Sequence, residues 1–320
     1  MIRTEKNSEN QHHTSEKPSF GVLMVRPSNF EYNEQTAVSN FFMDMLNKHQ
    51  PVHIRALKEF DHFAELLEKH NVDVNVIEAK KKPHSPDSIF PNNWISTHED
   101  GTIVLYPMEA ENRRTERRSD IIEELQEEYQ VNEIIDLSFY EKQNIFLEGT
   151  GSMVLDRAEK IAYACLSSRT HETALKDFCS KTNFRPIVFE AFDEKNKPIY
   201  HTNVMMCIGS GFAVIGSESI RDSVQREMVL NSLQASGKEV IEITLEQIHH
   251  FAGNMLQIHS KDGSKLIVMS EQAHRSLSPQ QLKHLENYGE LIFVPLYTIE
   301  NVGGGSARCM IAEIFLHKIL

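Results

Sequence analysis

The chain has 320 residues, 40% hydrophobic and 25% charged, with 14 glycines and 11 prolines, proportions of an ordinary globular protein that exclude collagen-like, low-complexity and wholly disordered chains. With 33 Lys+Arg against 46 Asp+Glu the net charge is −13, and no basic face exists beyond Arg113-Arg114 and Arg117-Arg118, so a nucleic-acid partner is not expected. No apolar run approaches the roughly 18 residues of a membrane span, and four scattered cysteines without a C-x-x-C pair argue against a disulfide framework or a thiolate zinc site and for a reducing cytoplasm.

In chain order, residues 1–19 are polar and charged without an apolar core, unlike a signal peptide, and are expected to form a disordered tail. Gly21 to Arg26 reads as a strand and Val72 to Ile77 as a second. Asn93 to Ser96 and Thr102 to Tyr106 flank Glu99-Asp100-Gly101 as a hairpin. An acidic helix with Ile121, Ile122 and Leu125 on one face follows, and then a strand over Glu133 to Leu137. The same order returns three times. Ser152 to Leu155 pairs with Ile161 to Ala164, before a strand at Ile187 to Phe189. Val204 to Ile208 pairs with Phe212 to Ile215, before a helix over Ser223 to Leu233 and a strand at Val240 to Ile243. Met255 to Ile258 pairs with Leu266 to Met269, before a helix over Pro279 to Tyr288 and a strand at Leu291 to Pro295. Cys309 to Leu320 is expected to be a closing helix.

The strand markers Val74, Ile134, Val188, Val240 and Ile292 lie 60, 54, 52 and 52 residues apart. Length alone suggests two domains, but a pair of doubly wound α/β domains would have single parallel strands between helices, not hairpins before each helix. The repeat predicts one α/β domain over residues 20–320, a five-fold pseudosymmetric propeller of ββαβ units. Five strand ends would then meet around one central cavity, a usual place for a small-molecule site.

Residues at equivalent repeat positions should converge on that cavity. Asp87 and Asn93, Glu148, His201 and Asn203, and Cys309 all sit at or just before the hairpins. A thiol, an imidazole and a carboxylate in register supply a nucleophile, a general acid/base and a group to orient it. Gly303-Gly304-Gly305-Ser306 lets backbone approach Cys309 closely, and a helix starting there would lower the thiol pKa. No Lys-Ser/Thr follows the glycines, against a phosphate loop. His12-His13, His98 and His249-His250 lack ligand spacing, so no metal is expected.

The stretches P-D-S-I-F-P-N-N-W (Pro86 to Trp94), A-E-N-R-R-T-E (Ala110 to Glu116), F-L-E-G-T-G (Phe146 to Gly151), S-R-T (Ser168 to Thr170), H-T-N (His201 to Asn203) and G-G-G-S-A-R-C-M (Gly303 to Met310) resemble the guanidino-group-modifying enzymes of the pentein superfamily. That group includes arginine deiminases, dimethylarginine hydrolases and glycine amidinotransferases, and within it the chain most resembles bacterial citrulline-utilisation hydrolases. The likeness runs from about Phe20 to the C-terminus and implies the pentein fold, a five-fold ββαβ propeller. It implies Cys309 as nucleophile, His201 as general acid/base and Glu148 as the acid beside it. It also implies Asp87 and Phe90 in a substrate loop, and Arg113 and Arg169 as forks for the substrate's α-carboxylate.

Two departures bear on the substrate. Arginine deiminases carry aspartates where this chain has Asn93 and Asn203, and Asn92 replaces an acid of the dimethylarginine enzymes. Neutral amides grip a guanidinium cation less well but hydrogen-bond a ureido group. The resemblance and the departures together imply hydrolysis of a C–N bond in a ureido or guanidino amino acid, citrulline first, giving ornithine, carbon dioxide and ammonia, without cofactor. The alternatives are an arginine deiminase- or dimethylarginine-hydrolase-like enzyme, an amidinotransferase, and a non-catalytic pentein binding protein like the ribosome anti-association factor. The three chemical residues and the acidic charge argue against the last. A homodimer is left open.

Overall fold

Turn chemistry sets the hairpins. Gly101, Gly211 and Gly263 take φ of +86°, +92° and +87°, a region that L side chains rarely enter, and each lies where the sequence predicts a turn. The computed structural model describes residue 19, residues 21–44 and residues 52–319. The expected disordered tail, Ser19 apart, lies outside the described residues.

Fifteen strands among the described residues form five three-stranded sheets of one pattern. They are β1 (Gly21–Arg26), β2 (Val74–Glu78), β3 (Ile95–Thr97), β4 (Thr102–Leu105), β5 (Glu133–Asp136), β6 (Val154–Asp156), β7 (Ile161–Cys165), β8 (Arg185–Phe189), β9 (Met206–Gly209), β10 (Phe212–Ile215), β11 (Glu239–Glu242), β12 (Leu256–His259), β13 (Lys265–Ser270), β14 (Glu290–Val294) and β15 (Ala312–Ile314). In four sheets an antiparallel hairpin, β3–β4, β6–β7, β9–β10 or β12–β13, is joined by a parallel third strand, β5, β8, β11 or β14. All five strand markers lie in third strands. The crossover helices bury one stripe each: Ala56, Phe60, Phe63, Ala64 and Leu67 in His53–Lys69, and Ile121 and Leu125 in Ser119–Glu128. Ser278 and Gln281 form a capping box around Pro279 at the start of Pro279–Glu286. The result is a mixed α/β fold of several small sheets.

The expected closing helix is not there. Residues Ala307–Met310 make one 3-10 turn, and Ala312–Ile314 is a strand antiparallel to β1, with Gly21 opposite Ile314 and Leu23 opposite Ala312. β1 also pairs in parallel with β2, so the fifth sheet is completed by residues from both ends of the described chain. The continuous run Met-Ile-Ala-Glu-Ile-Phe-Leu fits a buried helix or a buried strand equally by periodicity. Tertiary context decides: β1 needs a second partner, and Thr97 accepts and donates at this segment, with its Oγ1 bonded to the Glu313 carbonyl at 2.9 Å and to the Phe315 N–H at 2.8 Å.

One short turn precedes the first strand of four sheets: Pro91–Asn93 before β3, Gly149–Ser152 before β6, Thr202–Val204 before β9 and Ala307–Met310 before β15. The first packs against the second and the fourth, and the second against the third. Phe90, Asn93, Glu148, His201, Asn203 and Cys309 stand on or beside these turns. Among the described residues, no helix is long and apolar enough to cross a membrane.

Candidate active site

A cavity of about 250 Å3 is lined by Asp87, Phe90, Asn93, Arg113, Arg169, His201 and Cys309, with Asn40, Tyr200 and Gly303 to Gly305. It gathers seven of the nine predicted site residues. Glu148 lies directly behind it on His201, and Asn203 touches Cys309. A larger cavity, about 650 Å3, is lined by Asn203 with Thr150, Gln257, His259, Arg308 and Glu313, but not by Cys309 or His201.

Backbone geometry puts Glu148 in place. Gly149 follows it at φ +48°, and a Cβ there would overlap the carbonyl oxygen of Asn92, so glycine lets the turn at Gly149–Ser152 close on Pro91–Asn93. The Ser152 hydroxyl accepts the Glu148 N–H at 2.9 Å, and the Glu148 Oε1 accepts the Glu109 N–H at 3.0 Å. Its Oε2 lies 2.9 Å from His201 Nε2, 3.5 Å from Arg169 Nη1 and 4.0 Å from Arg113 Nη1. Burial would raise the Glu148 pKa, but Arg169, the His201 hydrogen bond and charge, and Arg113 hold it well below the usual carboxylate range. An ionised carboxylate can only accept, so Nε2 carries the ring proton when His201 is neutral and Nδ1 is its basic nitrogen. Burial lowers the His201 pKa. Glu148 opposes that shift and Arg169 and Arg113 add to it, so the net is downward and the imidazole is held neutral.

Cys309 is 3% exposed, third in its 3-10 turn. No helix begins there, so the helix-dipole activation expected from the sequence is absent. Its sulfur instead faces two side-chain amides, Asn203 Nδ2 at 3.4 Å and Asn254 Nδ2 at 3.3 Å. Cys165, Cys179 and Cys207 are buried with their thiols pushed up to about 12 by desolvation, inert small hydrophobes.

The two arginines are engaged by protein groups. Arg113 forks onto Glu116 at 3.0 and 2.9 Å, donates to Asn93 Oδ1 at 2.8 Å, and reaches the carbonyls of Asp87 and Phe90 at 3.4 and 3.3 Å. It thereby fixes the loop that carries Asp87, Phe90 and Asn93. Arg169 donates to the Thr36 carbonyl at 2.6 Å and to Ser39 Oγ at 2.9 Å, with its guanidinium 5.0 Å over the Tyr200 ring. Asp87 Oδ2 accepts from Asn33 and Thr36 at 2.8 and 2.9 Å. Its Oδ1 and the Oδ1 of Asn203 have no hydrogen-bond partner among the described residues, an arrangement costly enough to mark sites for N–H donors. Phe90 lies against Gly303 and Gly305, where a Cβ would meet its ring at 3.0 and 2.9 Å.

Sequence reasoning missed Asn254, the Asn33–Asn40 segment over the cavity, Tyr200 and Glu300. Asn254 stands 51 residues after Asn203 and 55 before Cys309, in register with the repeat, which is the signal that could have found it. The Asn33–Asn40 segment leaves no comparable trace. Among the described residues, no group of three or more His, Cys, Asp or Glu could hold a metal ion.

The fold has solved counterparts. The substrate-bound N-terminal domain of ArgZ, described as an arginine dihydrolase from the ornithine–ammonia cycle in cyanobacteria, superposes with TM-score 0.72 at 17% identity, covering 92% of this chain and 97% of that one. AgrE in complex with L-arginine gives 0.73 at 18% identity, covering 92% of this chain and 40% of that one. A dimethylarginine dimethylaminohydrolase adduct with S-methyl-L-thiocitrulline gives 0.63 at 15% identity, covering 92% and 100%. At these identities the likeness speaks for the fold. A search of curated proteins finds no match. The model of the family described as N,N dimethylarginine dimethylhydrolase, eukaryotic, matches residues 26–316. The chain belongs to this family of pentein-superfamily hydrolases that modify guanidino groups.

Proposed function

We propose that this chain is a single catalytic domain, residues 20–320, built as a five-fold ring of ββαβ units, which hydrolyses citrulline to ornithine, carbon dioxide and ammonia. The observation that carries the substrate is the neutral character of the polar groups around Cys309: Asn203 and Asn254 touch the sulfur and Asn93 lines the cavity. Glu148, buried behind the cavity, is already matched by Arg169, Arg113 and His201.

The Cys309 thiolate attacks the ureido carbon. His201 takes up a proton from solvent at Nδ1 as the sulfur attacks and delivers it to the departing ornithine nitrogen, leaving a carbamoyl thioester on the sulfur. His201 then takes a proton from water, which adds to the thioester, expels the thiolate and gives carbamate, which decays to carbon dioxide and ammonia. Arg169 and Arg113 supply positive charge for the α-carboxylate. One observation favours a second reading. The unpartnered, buried Oδ1 of Asp87 suits a guanidinium, in line with the arginine and dimethylarginine chemistries by which the structural neighbour ArgZ and the family are described.

Incubation with citrulline, arginine, agmatine and dimethylarginine at equal concentration separates these readings. Ornithine and ammonia from citrulline, with slower turnover of arginine, is the expected result. A clear preference for arginine or dimethylarginine overturns the citrulline assignment, and substantial turnover by folded Cys309→Ala overturns the nucleophile.

A further inference from the structure

Cys309 lacks the two usual activators of a catalytic thiol. No helix begins at it, and the imidazole beside it is held neutral by burial. A thiolate buried at 3% exposure still needs hydrogen-bond donors or a counter-charge.

Asn254 is fully buried, and every polar atom of its side chain is accounted for. Its Oδ1 accepts the backbone N–H of Arg308 at 3.0 Å. That donor cannot be reversed, so it fixes which end of the amide is nitrogen. The Nδ2 group carries two hydrogens. One goes to the carbonyl of Asn203 at 2.8 Å, and the other points at Cys309 Sγ at 3.3 Å. The Cys309 thiol in turn donates to Oδ1 at the longer distance of 3.6 Å, a bond that is lost when the thiol ionises. Asn203 adds a second amide N–H at 3.4 Å. Two amide dipoles therefore present their positive ends to the sulfur.

We propose that Asn254 is a catalytic residue of this site, the fixed amide donor that, with Asn203, stabilises the Cys309 thiolate. On ionising, the thiol gives up its proton to solvent and the amides keep theirs. The other titratable and charged groups around the cavity are Asp87, Arg113, Arg169, Tyr200 and His201. Arg308, next in sequence, donates to the Ile311 carbonyl and pairs with Glu313. The proposal rests on Cys309 as nucleophile.

The test is the pH profile of Cys309 alkylation by iodoacetamide, followed on its peptide by mass spectrometry, alongside thermal melting and kcat. Asn254→Asp keeps an oxygen for Arg308, removes the N–H donor and adds a negative charge, so Asn254→Ser, which adds none, decides whether loss of the amide donor alone moves the midpoint. The Asn254→Asp alkylation midpoint should rise by at least one pH unit, about a tenfold loss of thiolate at fixed lower pH, with kcat depressed at pH 7.5 and recovering at pH 9.5. Asn254→Ser, with a short hydroxyl donor, should fall between wild type and Asn254→Asp. A folded variant that loses activity with the wild-type alkylation midpoint makes Asn254 only a brace and overturns the proposal. If Asn254→Asp does not fold, an unshifted midpoint in Asn254→Ser has the same force. Turnover retained by Cys309→Ala would instead remove the nucleophile assignment while leaving the alkylation result standing.

Discussion

His201 Nε2 and Glu148 Oε2 meet at 2.9 Å with 2% and 0% of their side chains exposed, and the same carboxylate faces Arg169 and Arg113. One buried anion thus orients the imidazole and balances two cations. Glu148→Gln should lower kcat roughly 10²–10⁴-fold, the range for losing a positioned acid/base. It should also destabilise the fold by about 3–5 kcal/mol, because buried cations lose their counter-charge. Steady-state rates and urea unfolding of the same preparation read both effects.

Arg113 fixes the loop that carries Asp87, Phe90 and Asn93 through a planar fork, which a point charge cannot reproduce. Arg113→Lys should therefore cost about 3 kcal/mol of stability despite conserving charge, with KM rising as Asp87 and Phe90 lose their anchor. An unfolding midpoint equal to the wild type would contradict this placement.

Glu300 is linked to Cys309 through Ser306. Its Oε1 accepts the Ser306 hydroxyl at 2.6 Å, and the Ser306 carbonyl accepts the Cys309 N–H at 2.9 Å. Burial pushes the Glu300 carboxyl up to about 7, with Glu59 adding to the shift and the hydroxyls of Ser270 and Ser306 opposing it. A carboxyl raised in the folded state favours the proton-bound fold. Its contribution is therefore full below the ordinary glutamate range, falls away as pH climbs to about 7, and stays lost above. Glu300→Gln should remove this slope, a difference of at most about 3 kcal/mol between wild type and variant across pH 4.5 to 7. Thermal melting of both proteins at half-unit pH steps measures it.

Gly149→Ala tests the packing of turn against turn. The positive φ costs a side chain about 1–2 kcal/mol, and overlap with the Asn92 carbonyl adds about 1–3 kcal/mol. A melting temperature within error of the wild type would show that the two turns can part freely.

Much of this was legible because local chemistry and global pairing agree. Gly101, Gly211 and Gly263 mark turns wherever they occur, and β-branched runs such as Val74 to Ile77 and Glu133 to Asp136 recur at one spacing, so the sheets could be counted before they were seen. Asp87, Glu148, His201 and Cys309 were legible for the same reason, since equivalent positions in a repeat meet. β15 was not, because its identity depends on a partner far away in sequence. The role of Arg113 was only half visible. Its charge suggests a ligand carboxylate, while its fork onto Glu116 and the carbonyls of the loop depends on a fold that charge pattern does not encode. Asn254 was hidden by residue type: an asparagine after Gly253 looks like a turn, and its amide matters only once Cys309 is beside it.

The pairing of β15 with β1 sets an order of events during synthesis. β1 leaves the ribosome early and pairs with β2, but its other edge stays open until Ala312 to Ile314 emerge. Cys309 sits three residues ahead of that strand, so its sulfur and the strand that closes the fifth sheet come from one short stretch of chain.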